Sequence, residues 1–335
     1  MTEPLSLSQT LLTGVYRTGT EYLVSLVQGH PELSATMYRV NAIRFLWGGY
    51  DPIDDPGQRD AAIAAVAARV RERYAAALDE DAVRRALPRS RGRGYGALYD
   101  ALVHVLEMRP GQTRWLEKNQ LQWRQIPDFL DAAGDGRAVV LLRDPRSVLA
   151  SFKRFTTAPE PAYLGAAFNC LDCMRRLRAV HDERVLVLRY EDVLADPDAA
   201  RAQLFWHVGA NPARAAPREA ATMRDAYGRP WRHNSAFHER GSTAIDTAAA
   251  VARWRHTLTP AEIAFVERLC GEVMCAWGYE PEARGADDTA LVRACEADPQ
   301  LGAWWRHWRA TGEGACGFPS DPLDPRTWSR ASAAE

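Results

Sequence analysis

The stretch that decides the fold is LLTGVYRTGTEYLVSLV, residues 11–27, where an apolar run reaches a glycine-containing turn and then a helical pattern. After the turn, Leu23, Leu26 and Val27 recur at the spacing of one apolar face of a helix. Gly29 then stands where a helix is expected to end. The stretch therefore predicts a strand, a tight loop and a helix, in that order.

The predicted loop has the chemistry of an anion site. In a strand–loop–helix unit the loop N–H groups and the helix N-terminus point to one place, where they attract negative charge. Arg17 adds a positive charge there, Thr18 and Thr20 add hydroxyl groups, and Gly19 lets the backbone approach a ligand closely. We expect a phosphate group to bind this loop.

A Walker-type ATP loop is the first alternative, and the sequence departs from it at two positions. Gly14 and Gly19 have the required separation, but Thr20 stands where that loop has lysine. Glu21 stands where it has the Ser or Thr that binds Mg²⁺. The residues thus disfavour phosphoryl transfer from ATP. An ordinary strand-to-helix turn would explain Gly19 alone.

A second segment, residues 137–152, repeats the strand–turn–helix pattern. Its apolar residues run without alternation over 139–142, which is typical of a strand buried on both faces of a parallel sheet. Arg143 follows that strand at its carboxyl end, where α/β sheets bind ligands, and Ser151 lies on the next helix. The pair could hold a second phosphate, although Arg143 could instead form a capping ion pair with Asp144.

These segments, with two others, resemble the sulfotransferases that use 3′-phosphoadenosine-5′-phosphosulfate (PAPS). Residues 14–20 resemble the loop of that family for the 5′-phosphosulfate, and residues 143–151 resemble its motif for the 3′-phosphate. Residues 184–193 are similar to its strand that leads to Tyr-Glu-Asp. Residues 254–279 are similar to its closing helix. The four pieces follow the order of the family.

The resemblance implies an α/β, P-loop-like three-layer fold with a central parallel sheet and helices on both faces. It implies a sulfotransferase domain over residues 1–282, an insertion at about 34–115 that shapes the acceptor pocket, and a Trp-rich C-terminal extension over 283–335. It implies PAPS as co-substrate and no metal. The nucleotide contacts that it implies are Arg17, Thr18, Gly19, Thr20, Glu21, Tyr22, Arg143, Ser151 and Tyr190.

The catalytic residues are less well defined by the sequence. Lys118 is one of only two lysines among 42 basic residues, and the resemblance implies a lysine beside the transferred sulfate. Gln120 occupies the position where some relatives have histidine, so the base is sought elsewhere, among Glu21, His104 and Glu117. Glu21 could face away from the anion, act as the base, or pair with the arginine of the loop.

Composition limits the class of protein. A net charge of −1 over 335 residues predicts no broad field for nucleic acid. No apolar run is long enough to span a membrane, the N-terminus does not resemble a signal peptide, and six dilute cysteines indicate reduced thiols. We therefore expect a cytoplasmic enzyme. Cys170 and Cys173 lie in a helical pattern, which predicts core packing rather than a metal site.

The resulting expectation is sulfuryl transfer from PAPS to a hydroxyl group of a small molecule or glycan, with no nucleic-acid or membrane partner. The sequence leaves the oligomeric state open. Two alternatives remain, a P-loop-like kinase that uses ATP and a nucleotide-binding protein without catalytic activity.

Overall fold

A computed structural model describes residues 4–37, 39–155, 160–217, 247–282 and 285–317. Its centre is a five-stranded sheet in the order β2-β3-β1-β4-β5, in which every neighbouring pair is parallel. The strands are β1 (Ser8–Gly14), β2 (Leu33–Met37), β3 (Arg114–Lys118), β4 (Gly136–Leu142) and β5 (Val185–Arg189).

The described parts of the chain also form helices, which pack around this sheet. They are α1 (Thr20–Val27), α2 (Ala42–Phe45), α3 (Pro56–Tyr74), α4 (Glu80–Ala86), α5 (Gly94–Glu107), α6 (Ile126–Ala132), α7 (Pro145–Phe155), α8 (Gly165–Arg178), α9 (Tyr190–Ala195), α10 (Pro197–His207), α11 (Thr247–Ala252), α12 (Trp254–Thr257), α13 (Pro260–Ala276), α14 (Thr289–Ala297) and α15 (Pro299–Thr311).

Each face of the sheet is covered by its own apolar core. Leu11 and Val140 point to one face and join the core formed with α5, α6, α7, α8 and α13. Their chain neighbours Leu12 and Val139 point to the other face and join α1, α9 and α10. Because side chains alternate along a strand, the neighbouring leucines of β1 and the apolar run of β4 supply both cores. The predicted three-layer α/β fold is confirmed.

The register brings the carboxyl ends of the strands to one edge of the sheet. Leu12 pairs with Lys118, and Gly14 pairs with Leu141. The chain goes from β1 to β2 on one side and from β3 across β1 to β4 on the other. The strand order therefore reverses at β1. In open α/β sheets, ligands bind outside the carboxyl ends of the strands near such a reversal.

Two strands of this sheet fall at the ends of the expected insertion. The boundaries of about 34 and 115 cut through β2 and β3, so that stretch both contributes to the sheet and supplies α2 to α5. Lys118 is the last residue of β3, whereas the sequence placed it in a segment ahead of the next strand. Helix α3 begins at Pro56 because Asp55 caps it by accepting from the Gln58 N–H.

Part of the C-terminal extension packs on the main core. Trp305 stacks on Phe265 of α13 with ring centroids 5.9 Å apart, and Trp304 meets Phe168 of α8 edge to face, also at 5.9 Å. Trp328, which the sequence groups with these tryptophans, lies outside the described residues. The described end of the extension is thus part of the apolar core around α8 and α13. The domain boundary at 283 stays a prediction.

The paired cysteines lie within the core as the helical pattern predicts. Cys170 and Cys173 are both on α8 and both buried. Burial raises the pKa of each thiol well above its usual range. A buried, protonated thiol packs as a small apolar group and is a poor metal ligand.

Candidate active site at the carboxyl edge of the sheet

The turn after β1 is closed by its own hydrogen bonds. The N–H and the hydroxyl of Thr18 both donate to the Val15 carbonyl oxygen, over 3.3 and 2.8 Å. Arg17 has a φ of 69° and Gly19 a φ of 94°, which are left-handed conformations. In this conformation the Thr18 hydroxyl shapes the loop.

Helix α1 begins directly after this turn. Its first backbone bond within the helix runs from the Leu23 N–H to the Gly19 carbonyl at 3.1 Å, and no side chain caps it. The N–H groups of Thr20, Glu21 and Tyr22 precede that bond and therefore have no partner within the helix. This arrangement has the geometry of an anion site.

Tyr190, the first residue of α9, packs against this loop. A Cβ atom on Gly19 would lie 2.4 Å from the Tyr190 ring, so only glycine fits there. The ring meets Tyr22 edge to face at 6.5 Å, and the Arg143 guanidinium lies 4.5 Å from its centre. Burial raises the pKa of the Tyr190 phenol, although Arg143 opposes that shift. The structure thus brings four of the expected nucleotide residues together.

Arg143 is buried, and one of its donors has no acceptor. The guanidinium donates through Nη1 to the Arg17 carbonyl at 2.8 Å and through Nη2 to the Ala250 carbonyl at 2.7 Å. Its Nε is buried without a partner among the described residues. Neither bond neutralises the arginine, because both acceptors are uncharged. An unsatisfied buried cationic donor fits a site for an anion.

Ser151 and Arg17 connect the two sequence motifs. The Arg17 Nε donates to the Ser151 hydroxyl at 3.0 Å, although 134 positions separate the residues. Burial lowers the pKa of Arg17 to about 10, an effect that Arg143 adds to and that Glu21 opposes. The capping ion pair of Arg143 with Asp144 is not formed, because Asp144 pairs instead with Arg146 at 2.8 Å.

Lys118 and Glu21 form an ion pair beside the loop. The Lys118 Nζ donates to the Glu21 Oε1 at 2.9 Å, with the lysine side chain 0% exposed and the glutamate side chain 21% exposed. Burial lowers the pKa of Lys118, and Glu21 counteracts that shift. Glu21 also lies close enough to Arg17 to raise its pKa. The carboxylate therefore pairs with Lys118 and also interacts electrostatically with Arg17.

Glu117 has a structural environment that its sequence neighbours did not reveal. Its carboxylate accepts from the N–H groups of Val40 and Asn41, each at 2.9 Å, and from the Tyr99 hydroxyl. Burial raises the pKa of Glu117, and those hydrogen bonds oppose the shift. Glu117, on β3, thus holds the segment that follows β2 in place. Its position next to Lys118 on an alternating strand was the one available signal that the two side chains face opposite ways.

His104 lies in the last turn of α5. Its charged neighbours are Arg89 and Asp100, and burial lowers the pKa of its imidazole. Asp100 accepts from Ser6 and from the Trp115 indole, near the amino ends of β1 and β3. No hydrogen bond or ion pair of the described residues joins His104 to the Lys118–Glu21 pair. Its catalytic role stays a prediction without support from the geometry.

Within the described residues, no group of three or more His, Cys, Asp or Glu side chains could hold a metal ion. No helix in the same parts of the chain is both long enough and apolar enough to cross a membrane.

The sequence was also compared with known proteins. A model of the sulfotransferase family matches residues 10–213, which is more than half of the chain. The chain belongs to the sulfotransferase family. No curated protein matches this sulfotransferase in sequence.

A solved sulfotransferase domain shares the fold, and other solved structures are more weakly similar. A sulfotransferase domain from the curacin biosynthetic pathway is 15% identical, with a TM-score of 0.50, and the match covers 83% of this chain and 100% of that domain. Sulfotransferase STF9 from Mycobacterium avium is 14% identical, with a TM-score of 0.45 and coverage of 84% and 79%. Retinol dehydratase in complex with androsterone and the inactive cofactor PAP is 15% identical, with a TM-score of 0.40 and coverage of 82% of each chain.

Proposed function

We propose that this sulfotransferase transfers a sulfuryl group from PAPS to a hydroxyl group of a small molecule or glycan and releases 3′-phosphoadenosine-5′-phosphate (PAP). The observation that carries the proposal is the hydrogen bond from Arg17 to Ser151, at 3.0 Å. It joins the loop expected to hold one phosphate to the motif expected to hold another. Two anion sites this close fit a nucleotide with phosphates on both its 5′ and 3′ positions.

The residues present fit such a nucleotide. The N–H groups of Thr20, Glu21 and Tyr22 and the charge of Arg17 would hold the 5′-phosphosulfate. Arg143 would direct its unsatisfied Nε to the 3′-phosphate, with the Ser151 hydroxyl as a second contact. Tyr190 lies between these positions and could pack against the adenine.

In the proposed reaction, the acceptor oxygen bonds to sulfur while the bond between sulfur and the bridging phosphate oxygen breaks. Glu21 takes the proton that the acceptor hydroxyl loses. Lys118, 2.9 Å from Glu21, stabilises the negative charge that the bridging oxygen gains with the electron pair of the broken bond. Positioning and electrostatic stabilisation then supply the catalysis, as they do in phosphoryl transfer.

Glu21 is preferred as base because it is the carboxylate that the structure brings to Lys118 and Arg17. Glu117 accepts hydrogen bonds at both of its oxygens. An unpaired carboxylate would repel the anionic group that is transferred beside it. The pairing of Glu21 with Lys118 offsets that repulsion.

Thermal-shift titrations with PAP, AMP and ATP, each with and without Mg²⁺, test the proposal. PAP should stabilise the protein most, and Mg²⁺ should be unnecessary. Stabilisation by Mg²⁺-ATP without stabilisation by PAP would instead support the kinase alternative. PAP binding without turnover of any hydroxyl acceptor would support the inactive nucleotide-binding protein.

A further inference from the structure

A cavity of about 350 Å³ adjoins the turn after β1 on the side of α7, α8 and α15. Its walls include Val15 and Tyr16 from the turn, Phe152 from α7, Ala166 from α8 and Trp304 from α15. Ligand pockets in proteins are typically concave, mostly apolar spaces of about this size or larger. At about 30 Å³ per water-sized group, the volume holds roughly twelve non-hydrogen atoms.

The cavity lies next to the proposed reaction centre. Tyr16 immediately precedes Arg17, and Phe152 immediately follows Ser151. Arg17 and Ser151 are hydrogen-bonded to each other at 3.0 Å, so Tyr16 and Phe152 flank this pair at one end of the cavity. A molecule in the cavity would therefore lie beside the proposed nucleotide site.

Few polar groups in the cavity wall are available to a ligand. The Asn169 side chain exchanges two hydrogen bonds with the Gly317 backbone, at 3.1 and 3.0 Å. Asp298 caps α15 by accepting from the N–H groups of Gln300 and Leu301 at 2.9 and 2.8 Å. The lining residues that the structure describes include no lysine or arginine. Such walls suit an apolar molecule and would leave most hydroxyl groups of a glycan unpaired.

One wall comes from outside the part of the chain that matches the family. Helix α15 begins at Pro299, whereas the family model ends at residue 213. The helix is packed firmly, since Leu301 and Trp305 are buried. It also approaches α8 closely, because a Cβ atom on Gly165 would lie 3.2 Å from the Trp304 ring. The wall is thus a fixed part of this fold.

We propose that this cavity is the acceptor site, that α15 limits its size, and that the acceptor is a small apolar alcohol or phenol rather than a glycan. This inference rests on the proposed function, because it names the acceptor class of the same reaction. It assigns to the C-terminal extension the role of a specificity element.

The test uses 2-naphthol as an apolar hydroxyl probe and methyl β-glucoside as a sugar probe. Binding of each to the full-length protein is followed by ligand-detected NMR, with and without PAP. Gln300→Trp places a large ring at the cavity wall, at a residue that is exposed. Ala303→Trp is the matched control. Ala303 is exposed on the same helix and does not line the cavity as the described residues form it.

We expect 2-naphthol to bind the wild type and Ala303→Trp equally, and Gln300→Trp at least about tenfold more weakly, because the added ring overfills the site. Trp304→Ala should shift binding toward larger phenols such as 1-hydroxypyrene. PAP affinity, measured separately by calorimetry, should be the same in all four proteins.

Two results would overturn the inference. One is equal 2-naphthol binding by Gln300→Trp and the wild type, and the other is binding of the glucoside in preference to 2-naphthol. Absence of PAP binding in the wild type would overturn the proposed function instead. The 2-naphthol titration without PAP would still report on the cavity in that case.

Discussion

The phosphate loop, residues 14–20, has positively charged side chains on the side of β4 and on the side of β3. The two sides hold these charges in different ways. On the β4 side, Arg143 donates to carbonyl oxygens and Arg17 to a serine hydroxyl. On the β3 side, Lys118 pairs with the Glu21 carboxylate at 2.9 Å. Another carboxylate on that side, Glu107, is largely buried and pairs with Arg39 at 3.2 Å.

This difference separates binding from chemistry. Acceptors without charge, such as the two carbonyl oxygens that bind Arg143, orient an arginine and leave its positive charge for an anion. A carboxylate partner cancels much of the field of a lysine at a distance, but it supplies a group that can take a proton. The β4 side is thus suited to holding phosphates, and the β3 side is suited to proton transfer. The comparison can be tested by removing charges from each side in turn.

The largest effect is expected for Glu21→Gln. The variant keeps an oxygen that can accept from Lys118 but removes the proposed base, so kcat should fall about 10²–10⁴-fold. PAP affinity, measured by calorimetry, should not weaken, because a negative charge has been removed beside the anion site. Unchanged kcat would show that Glu21 only orders the loop, and the β3 side would then lose its proposed part in proton transfer.

A somewhat smaller effect is expected for Lys118→Ala. Loss of the ammonium removes stabilisation of charge that develops on the bridging oxygen, so kcat should fall about 10²–10³-fold while the PAP Kd changes little. Because the Lys118 side chain is fully buried, Lys118→Met should be measured too, since it keeps most of the volume. Lys153→Ala is the control, because the other lysine pairs with Glu262 at 2.7 Å. Full kcat in both Lys118 variants would refute the role.

The β4 side was the easier of the two to predict from the sequence. Strand β4 contains an unbroken apolar run and β1 contains the apolar pair Leu11 and Leu12, and each strand leads into a turn and a helix. Arg17, Arg143 and Ser151 could therefore be placed relative to these strands. Each of these signals is local. A short range of residues is sufficient to show the strand, the turn and the helix.

The β3 side could not be predicted in this way because its strand is polar. Strand β3 carries Glu117 and Lys118, both fully buried, in the interior of the sheet. Buried charges are tolerated there only because distant residues satisfy them, among them Glu21, 97 positions away. No local pattern of residues reports such pairs. The pairing of Glu21 with Lys118 was therefore not predicted, since the only ionic partner considered for Glu21 from the sequence was Arg17.

The double variant Arg143→Ala with Ser151→Ala tests the β4 side. Two contacts to the 3′-phosphate are lost at roughly 1.5–3 kcal/mol each, so the preference for PAP over AMP should fall by about 10² or more. Calorimetric titration with both nucleotides measures this preference. AMP binding should change little, since AMP lacks the 3′-phosphate. If the two nucleotides weaken equally, these residues support the fold of the loop and do not recognise that phosphate.

The smallest effect concerns Glu107, whose titration tests whether this carboxylate on the β3 side is buried. Burial raises the pKa of Glu107 to about 7, and Arg39 opposes the shift. In the unfolded chain the carboxyl ionises near its usual pKa of 4.5. Between these two pKa values, the unfolded state therefore holds fewer protons than the folded state, and stability falls as the pH rises.

Glu107→Gln removes this dependence on pH. Urea unfolding from pH 4 to pH 8 should show the free energy of unfolding of the variant falling less steeply than that of the wild type, by at most about 3 kcal/mol across the range. Glu272→Gln is the control, because Glu272 is 85% exposed beside Arg178. Parallel curves for all three proteins would mean that Glu107 is solvated as an ordinary surface carboxylate. The contrast between the two sides would then be confined to the Lys118–Glu21 pair.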